Sequence, residues 1–384
     1  MSGQLSPAAM ITAQADLARY ADTWAREPLL AIDTESNSLY AYREQVCLIQ
    51  LSTREQDFII DPLVLDHIDP LGDLIADPGI EKVFHAAEYD VMCLKRDFAF
   101  TFTNLFDTMI AARICGSQKL GLANMLEEYF SVAVDKKYQR ANWGRRPLEQ
   151  DMLRYAQLDT HYLPDLRDIW QAQLQEHRRW REAQEVFAEL TDLPAAAHSF
   201  DPDGFWRING AQALKPHQMS VLRALYLLRE EIAEQRNYPP FKVFGNKTLI
   251  DLASEQPRQQ RDLYGITGMT SGQVRRYGRH ILQAVAAAKQ DKPPRRPQRD
   301  RRPSEAIVAR YEALHEWRKQ RAQQRGVESD VIVTRDALWA LARHAPATPE
   351  ELADVPGLGP WKTETYGAEI LRVLAAADNR NGRR

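Results

Sequence analysis

Residues 225–287 align onto residues 314–376 at an offset of 89 positions without a gap, with 17 identities in 63 positions. A duplication of this kind settles much of the architecture before any motif is read, because a missed repeat mis-assigns the whole fold. The identities include Leu225/Leu314, Arg229/Arg318, Gln235-Arg236/Gln324-Arg325, Leu249/Leu338, Leu252-Ala253/Leu341-Ala342, Gly268/Gly357, Tyr277-Gly278/Tyr366-Gly367 and Ile281-Leu282/Ile370-Leu371. Apolar residues at helical spacing (Leu222, Leu225, Leu228, Ile232) with Gly and Pro breaks between segments predict two small all-helical modules, over residues 211–290 and 305–378. Between them, residues 291–304 contain Asp291-Lys-Pro-Pro-Arg-Arg-Pro-Gln-Arg-Asp-Arg-Arg-Pro303, where prolines bar a helix and like charges repel, predicting an extended basic linker. The end of the chain, Asn379 to Arg384, reads as a frayed basic tail.

Residues 1–195 follow a different pattern. Leu29 to Asp33, Gln45 to Ser52, Asp57 to Ile60 and Lys82 to His85 are short apolar strands, and helices are predicted over Glu88–Phe98, Leu105–Cys115 and Leu148–Ala172. Strands early, with helices between and after, indicate a mixed α/β domain. The passage from Pro194 to Gly210, with Asp201-Pro-Asp-Gly204, punctuates the change to the helical half.

Composition narrows the class. At roughly 100 to 200 residues per domain, 384 residues make two to four domains, and 44% hydrophobic with 27% charged residues is ordinary for a globular protein. No apolar run approaches the ~18 residues of a membrane span, and Met1 to Asp16 lacks the pattern of a signal peptide, so a cytoplasmic protein is expected. Cys47, Cys93 and Cys115 are odd in number and widely spaced, and are expected to be buried thiols rather than disulfides or metal ligands. The net charge of -3 argues against a polyanionic partner, but it conceals a split: residues 1–200 carry -12 and residues 201–384 carry +9. Such asymmetry points to a nucleic-acid or membrane-surface contact made by one half.

The acidic half holds the residues that suit chemistry. Asp33-Thr-Glu35 closes the first strand, and alternation places both carboxylates on one face, about 6.5 to 7 Å apart at Cα. That suits a pair of divalent cations, although an isolated pattern of this length is more often a strand running out into a polar turn. Asp90 lies at the edge of the apolar stripe formed by Val91 and Leu94, just after the fourth strand. Tyr155 and Asp159 are four apart on a predicted helix, so both face one way, about 6 Å apart along its axis.

Together, Asp33, Glu35, Asp90, Tyr155 and Asp159 resemble the three motifs of the DEDD superfamily of 3′-to-5′ exonucleases, in the branch whose third motif is Tyr-x-x-x-Asp. The resemblance extends to Leu48-Ile-Gln50, Asp61-Pro62, Phe106-Asp-Thr108, Leu126-Glu-Glu-Tyr129, Trp143, Arg146-Pro-Leu148 and Tyr162-Leu163. The helical repeats look like tandem HRDC domains, so the whole chain is similar to the ribonuclease D family. This implies a ribonuclease H-like α/β nuclease domain, a mixed sheet with flanking helices, followed by two small all-α HRDC modules. It further implies a metal-dependent 3′-to-5′ exoribonuclease acting on RNA with a free 3′ end, tRNA precursors above all, and releasing nucleoside 5′-monophosphates. Asp33, Glu35, Asp90 and Asp159 would hold two divalent metal ions, Mg2+ or Mn2+, and Tyr155 would orient the attacking water, its phenol being too weak a base near pKa 10. No protein partner and no membrane contact are implied. A DNA-directed exonuclease of the same superfamily and a non-catalytic RNA-binding scaffold are the competing readings. Ser36 departs from the family, which often carries an aromatic residue there.

Contacts to RNA are sought in two places. Lys136, Lys137, Arg140, Arg145 and Arg146 surround Trp143, a pattern that suits phosphate contact with base stacking, or equally a charged loop anchored by one Trp. Arg275, Arg276 and Arg279 cluster with His280 around Tyr277 in the first module, whereas the second has Glu364 and Glu369 in place of Arg275 and His280. The first module is therefore expected to bind RNA better, and the second to act partly in packing. His85 is expected to be structural, and Asp107 to cap the helix that follows it.

Overall fold

The computed structural model describes residues 5–197, 199–296 and 302–381. In the first part of the chain the elements are β1 (Ala9–Ile11), α1 (Gln14–Trp24), β2 (Leu29–Ser36), β3 (Val46–Ser52), β4 (Asp57–Ile60), α2 (Asp69–Ala76), β5 (Glu81–Phe84), α3 (Glu88–Phe98), β6 (Leu105–Asp107), α4 (Thr108–Cys115), α5 (Leu122–Phe130), α6 (Gln150–His161), α7 (Leu163–Glu176) and α8 (Trp180–Thr191). The strands form one mixed sheet in the order β1-β4-β3-β2-β5-β6, parallel at β1/β4, β2/β5 and β5/β6 and antiparallel at β3/β4.

The alternation of β2 explains its place at the centre. Leu30 and Ile32 enter one apolar cluster with Val91 and Leu94 of α3, while Leu29 and Ala31 enter another with Phe106, Leu163 and Trp170. A strand buried on both faces must be a continuous apolar run, and its polar end can only lie where the layers open. Continuing the alternation, Asp33 and Glu35 follow Leu29 and Ala31, and Thr34 points to the face of α3.

Three expectations change. Leu105 to Asp107 is a strand: all three residues are buried and pair with Lys82 to Phe84, so the helix starts only at Thr108, where Asp107 accepts from the amides of Met109 and Ile110. The helix expected over 148–172 is two helices, because Pro164 has no N–H and its ring would clash with the carbonyl of Thr160 if α6 continued. Asp33-Thr-Glu35 lies within β2, which runs on to Ser36.

The helical half contains α9 (Pro216–Arg236), α10 (Pro240–Val243), α11 (Asn246–Glu255) and α12 (Ser271–Ala288), then α13 (Glu305–Arg325), α14 (Ser329–Ile332), α15 (Arg335–His344), α16 (Pro349–Ala353) and α17 (Pro360–Asn381). The shared residues of the repeat build equivalent cores: Leu225 and Leu314, Leu249 and Leu338, Leu252 and Leu341, and Ile281 and Ile370 are all buried. Arg229 and Arg318 are buried too, each donating to a carbonyl beyond the short second helix, Phe244 at 3.3 Å and Val333 at 3.0 Å. Gly268 and Gly357 both hold positive φ, +84° and +82°, and a Cβ on Gly268 would lie 2.4 Å from Thr248 Oγ1. Of the linker, residues 297–301 lie outside the described residues, as do the last three residues of the tail, whose first part continues α17. Among the described residues no helix is long and apolar enough to cross a membrane. Cys47 and Cys93 are buried and Cys115 is half-buried.

The chain forms two compact bodies. Among the described residues, one contains 5–35, 46–196 and 302–381, and the other 36–45, 197 and 199–296. In the second body, the segment after β2 is fastened to the first module: Tyr42 Oη donates to Glu230 at 2.6 Å, Arg43 pairs with Glu234 at 3.0 Å, and Asn237 Oδ1 accepts from the amides of both. In the first body, the second module is fastened to the nuclease domain. Arg325 forks onto Glu182 of α8 at 2.9 and 2.5 Å, Arg113 bonds Glu328 and Asp330, and the Trp361 amide donates to Glu185 at 2.5 Å. Glu364 pairs with Arg181 at 2.9 Å and Glu369 with Arg321, so the acids that replace the cations of the first copy serve ion pairs here.

Glu182 is only 1% exposed. Arg325→Ala would leave its carboxylate buried without a counter-charge, and should destabilise the protein by about 3–5 kcal/mol; Arg236→Ala at the equivalent, exposed position of the first copy should cost under about 0.5 kcal/mol. Denaturant unfolding of both variants measures the difference.

Candidate active site

The polar end of β2 opens into a cavity of about 350 Å³ lined by Asp33, Thr34, Glu35, His85, Tyr155 and Asp159, with Gly121 to Asn124 at the start of α5, and Lys136 and Gln139 from the 3₁₀ turn Lys136–Arg140. Asp90, from the first turn of α3, is buried beside it, its carboxylate accepting from Thr34 Oγ1. Three separate stretches of sequence thus deliver the four carboxylates and one phenol to one place. Asp107 fixes the turn that brings Asp90 in: its oxygens accept from the amides of Ala86, at φ +64°, and Ala87 as well as those of Met109 and Ile110.

The carboxylates perturb one another. Burial, then Asp90, Asp159 and Glu35, push Asp33 well above the usual range. Burial, then Asp159 and Asp90, raise Glu35 to about 9. Burial raises Asp90 to about 7, against the bond from Thr34, and burial with Asp90 raises Asp159 to about 8. Four such groups cannot all ionise together at neutral pH unless positive charge joins them. The donors are hard oxygens, which fit a hard divalent cation. Among the described residues no three acidic, His or Cys side chains converge tightly enough to ligate one ion as they stand.

Residues 8–175 match the 3′-5′ exonuclease family, and residues 218–285 and 308–374 each match the HRDC domain. The chain is 28% identical to Ribonuclease D of Granulibacter bethesdensis over 95% of this chain and 92% of that one. The chain belongs to the ribonuclease D family of 3′-to-5′ exoribonucleases. It is also 32% identical to the Exosome complex component 10 homolog of Caenorhabditis elegans over 74% of its length, which spans 33% of that longer protein. The catalytic core of RRP6 from Trypanosoma brucei superimposes with a TM-score of 0.69 at 29% identity, covering 75% of this chain and 81% of the other. The family implies dependence on a divalent metal.

Within this ribonuclease D fold the remaining residues take definite places. Burial, then Asp159, Glu35 and Asp33, raise the Tyr155 phenol above its ordinary value, against a hydrogen bond with Gln139, so it keeps its proton. Burial lowers His85 to about 4, and its Nδ1 shares a 2.9 Å hydrogen bond with Thr108 Oγ1, so it brings no positive charge to the cavity. Trp143 is 1% exposed and packs among Cys47, Leu48, Ile59 and Ala156 with its ring 6.2 Å from that of Tyr155. It supports Tyr155 from below, and its buried ring offers no face for a base. Arg146 is likewise committed inward, to both oxygens of Asp61 and the carbonyls of Cys47 and Trp143. Lys136 reaches the cavity, Arg140 is exposed at the end of the same turn, and Arg275, Arg276 and Arg279 are exposed on α12.

Thr34, Gln139 and the start of α5 escaped the reading of the sequence; only Thr34, between the two acids, carried a signal. A further omission is Asp57 of β4. It accepts from Ser52 Oγ at 2.6 Å, Gln157 Nε2 at 2.6 Å and His161 Nδ1 at 2.8 Å, and Ser52 also bonds Thr160. Gln157, Thr160 and His161 surround Asp159 on α6, so these bonds set the rotation that turns Tyr155 and Asp159 to the cavity. Burial raises Asp57, but the bonds from His161, Gln157 and Ser52 outweigh it and hold the carboxyl below the ordinary range. Its contribution is therefore complete above the unfolded value of about 3.9 and lost as pH falls through the lower folded value. Asp57→Asn should cost roughly 1–3 kcal/mol at pH 7, and the difference from the parent should vanish in strong acid, as urea unfolding across pH would show.

Proposed function

We propose that the enzyme trims the 3′ ends of structured RNA, tRNA precursors among them, one nucleotide at a time, releasing nucleoside 5′-monophosphates. What supports this reading is that Asp33, Glu35, Tyr155 and Asp159, from β2 and α6, line one cavity, with Asp90 of α3 buried beside it. The four carboxylates would hold two divalent cations, Mg2+ or Mn2+, whose charge supports water ionisation and the leaving 3′ oxygen. Tyr155, protonated and bonded to Gln139, orients the attacking water rather than taking its proton. Lys136 and residues 121–124, which open α5, line the same space, and a cation beside a helix N-terminus suits a phosphate. The product is a monophosphate because attack at the last phosphodiester leaves that phosphate on the departing nucleoside. The exposed arginines of α12 hold the RNA body through its phosphates.

Incubation with a 3′-tailed RNA and its DNA analogue should give stepwise shortening of the RNA that stops on chelation; endonucleolytic fragments or resistance to chelator would overturn the reading. Asp33→Asn should lower the rate at least about 10³-fold, the worth of several kcal/mol of charge stabilisation, with RNA binding retained. Replacing Arg275, Arg276 and Arg279 by Glu should reduce the slope of log affinity against log salt by about 2, as expected for three lost phosphate contacts on a single strand.

A further inference from the structure

A second cavity, of about 530 Å³, shares Tyr155 and Val134 with the catalytic one. It lies between residues 130–138 and α6, walled by Phe130, Tyr138, Leu158 and Tyr162, with Lys137 and Arg154 among its cations. Phe130 and Tyr162 are stacked at 4.8 Å, which fixes two of these rings against each other, while the Tyr138 ring stands 6.1 Å from that of Tyr155. Lys137 Nζ lies 3.1 Å from Tyr138 Oη, placing positive charge next to an aromatic wall. Asp151 adds an acceptor able to meet a base edge.

Resting on the exoribonuclease reading above, we propose that this cavity binds the base of the penultimate nucleotide of the RNA, drawn out of the stack while the terminal nucleotide occupies the catalytic cavity. Aromatic walls meet the π-face that every base possesses, and the cations match the phosphates on either side of it. The volume falls within the range of small-molecule pockets. Continuity decides the occupant: a strand whose last phosphodiester lies among the carboxylates continues past Tyr155 and Val134 into the next cavity, so the nucleotide before the cut is the one that reaches it. Recognition of this kind is tolerant of base identity, as suits an enzyme that removes successive nucleotides.

The test is kcat/KM on RNAs carrying an abasic residue at the terminal, penultimate or third position. In the parent enzyme the penultimate abasic site should cost roughly tenfold, the worth of one stacked base. Tyr138→Ala should lose about as much on intact RNA and lose nothing further on the penultimate-abasic RNA, whereas Tyr138→Phe should restore the discrimination. Ala133→Trp, which fills the cavity from an exposed loop position, should abolish that discrimination even if Tyr138→Ala does not fold. Equal losses for Tyr138→Ala on intact and abasic RNA, or an abasic effect confined to the terminal or third position, would overturn the subsite. An enzyme that shortens no RNA at all would instead overturn the exoribonuclease reading.

Discussion

Four carboxylates crowded at the end of one strand are the constraint that orders the nuclease domain. Each is held where water cannot fully solvate it, and neighbouring carboxylates of the set raise Asp33, Glu35 and Asp159 further. The fold bears this cost through rigid supports placed behind the acids rather than among them. Asp107 ties the starts of α3 and α4 together, the Asp57 network sets α6, and Trp143 backs Tyr155.

The same logic clarifies the charge of the chain. Part of the acidity of the first half belongs to the site itself, and the basicity of the second half is unevenly used. In the first helical module the cations of α12 are exposed. In the second, Arg325 and Arg321 are spent on Glu182 and Glu369, and Glu364 pairs with Arg181 of α8. One duplicated sequence leaves its α12 cations exposed in one copy and has become a brace on the nuclease domain in the other, with the shared core residues unchanged. Net charge, summed over both, conceals that division.

Much of the site was legible because its chemistry permits few residue types at short spacings. Asp33 and Glu35 read from strand alternation, Tyr155 and Asp159 from helical spacing, and Asp107 as a cap. Trp143 stayed open between base stacking and a loop anchor, because an aromatic among five basic residues looks the same in sequence whether its ring faces solvent or core; its burial selects the anchor. Arg146 misled because its partner Asp61 is 85 residues away. Leu105 to Asp107 became a strand because pairing with β5 outweighed a local pattern too short to choose.

What the sequence determined by itself was everything that depends on periodicity and local chemistry: two homologous helical modules, an α/β nuclease domain, and a family-specific set of acids. What only the tertiary structure decided was everything that depends on contacts between distant segments. It joined the second module to α8, fastened residues 36–45 to the first module, buried Trp143, and opened two adjoining cavities on either hand of Tyr155. The reason is physical: a residue's spacing records which face it takes, but its burial and partners are properties of the surface that arrives to meet it.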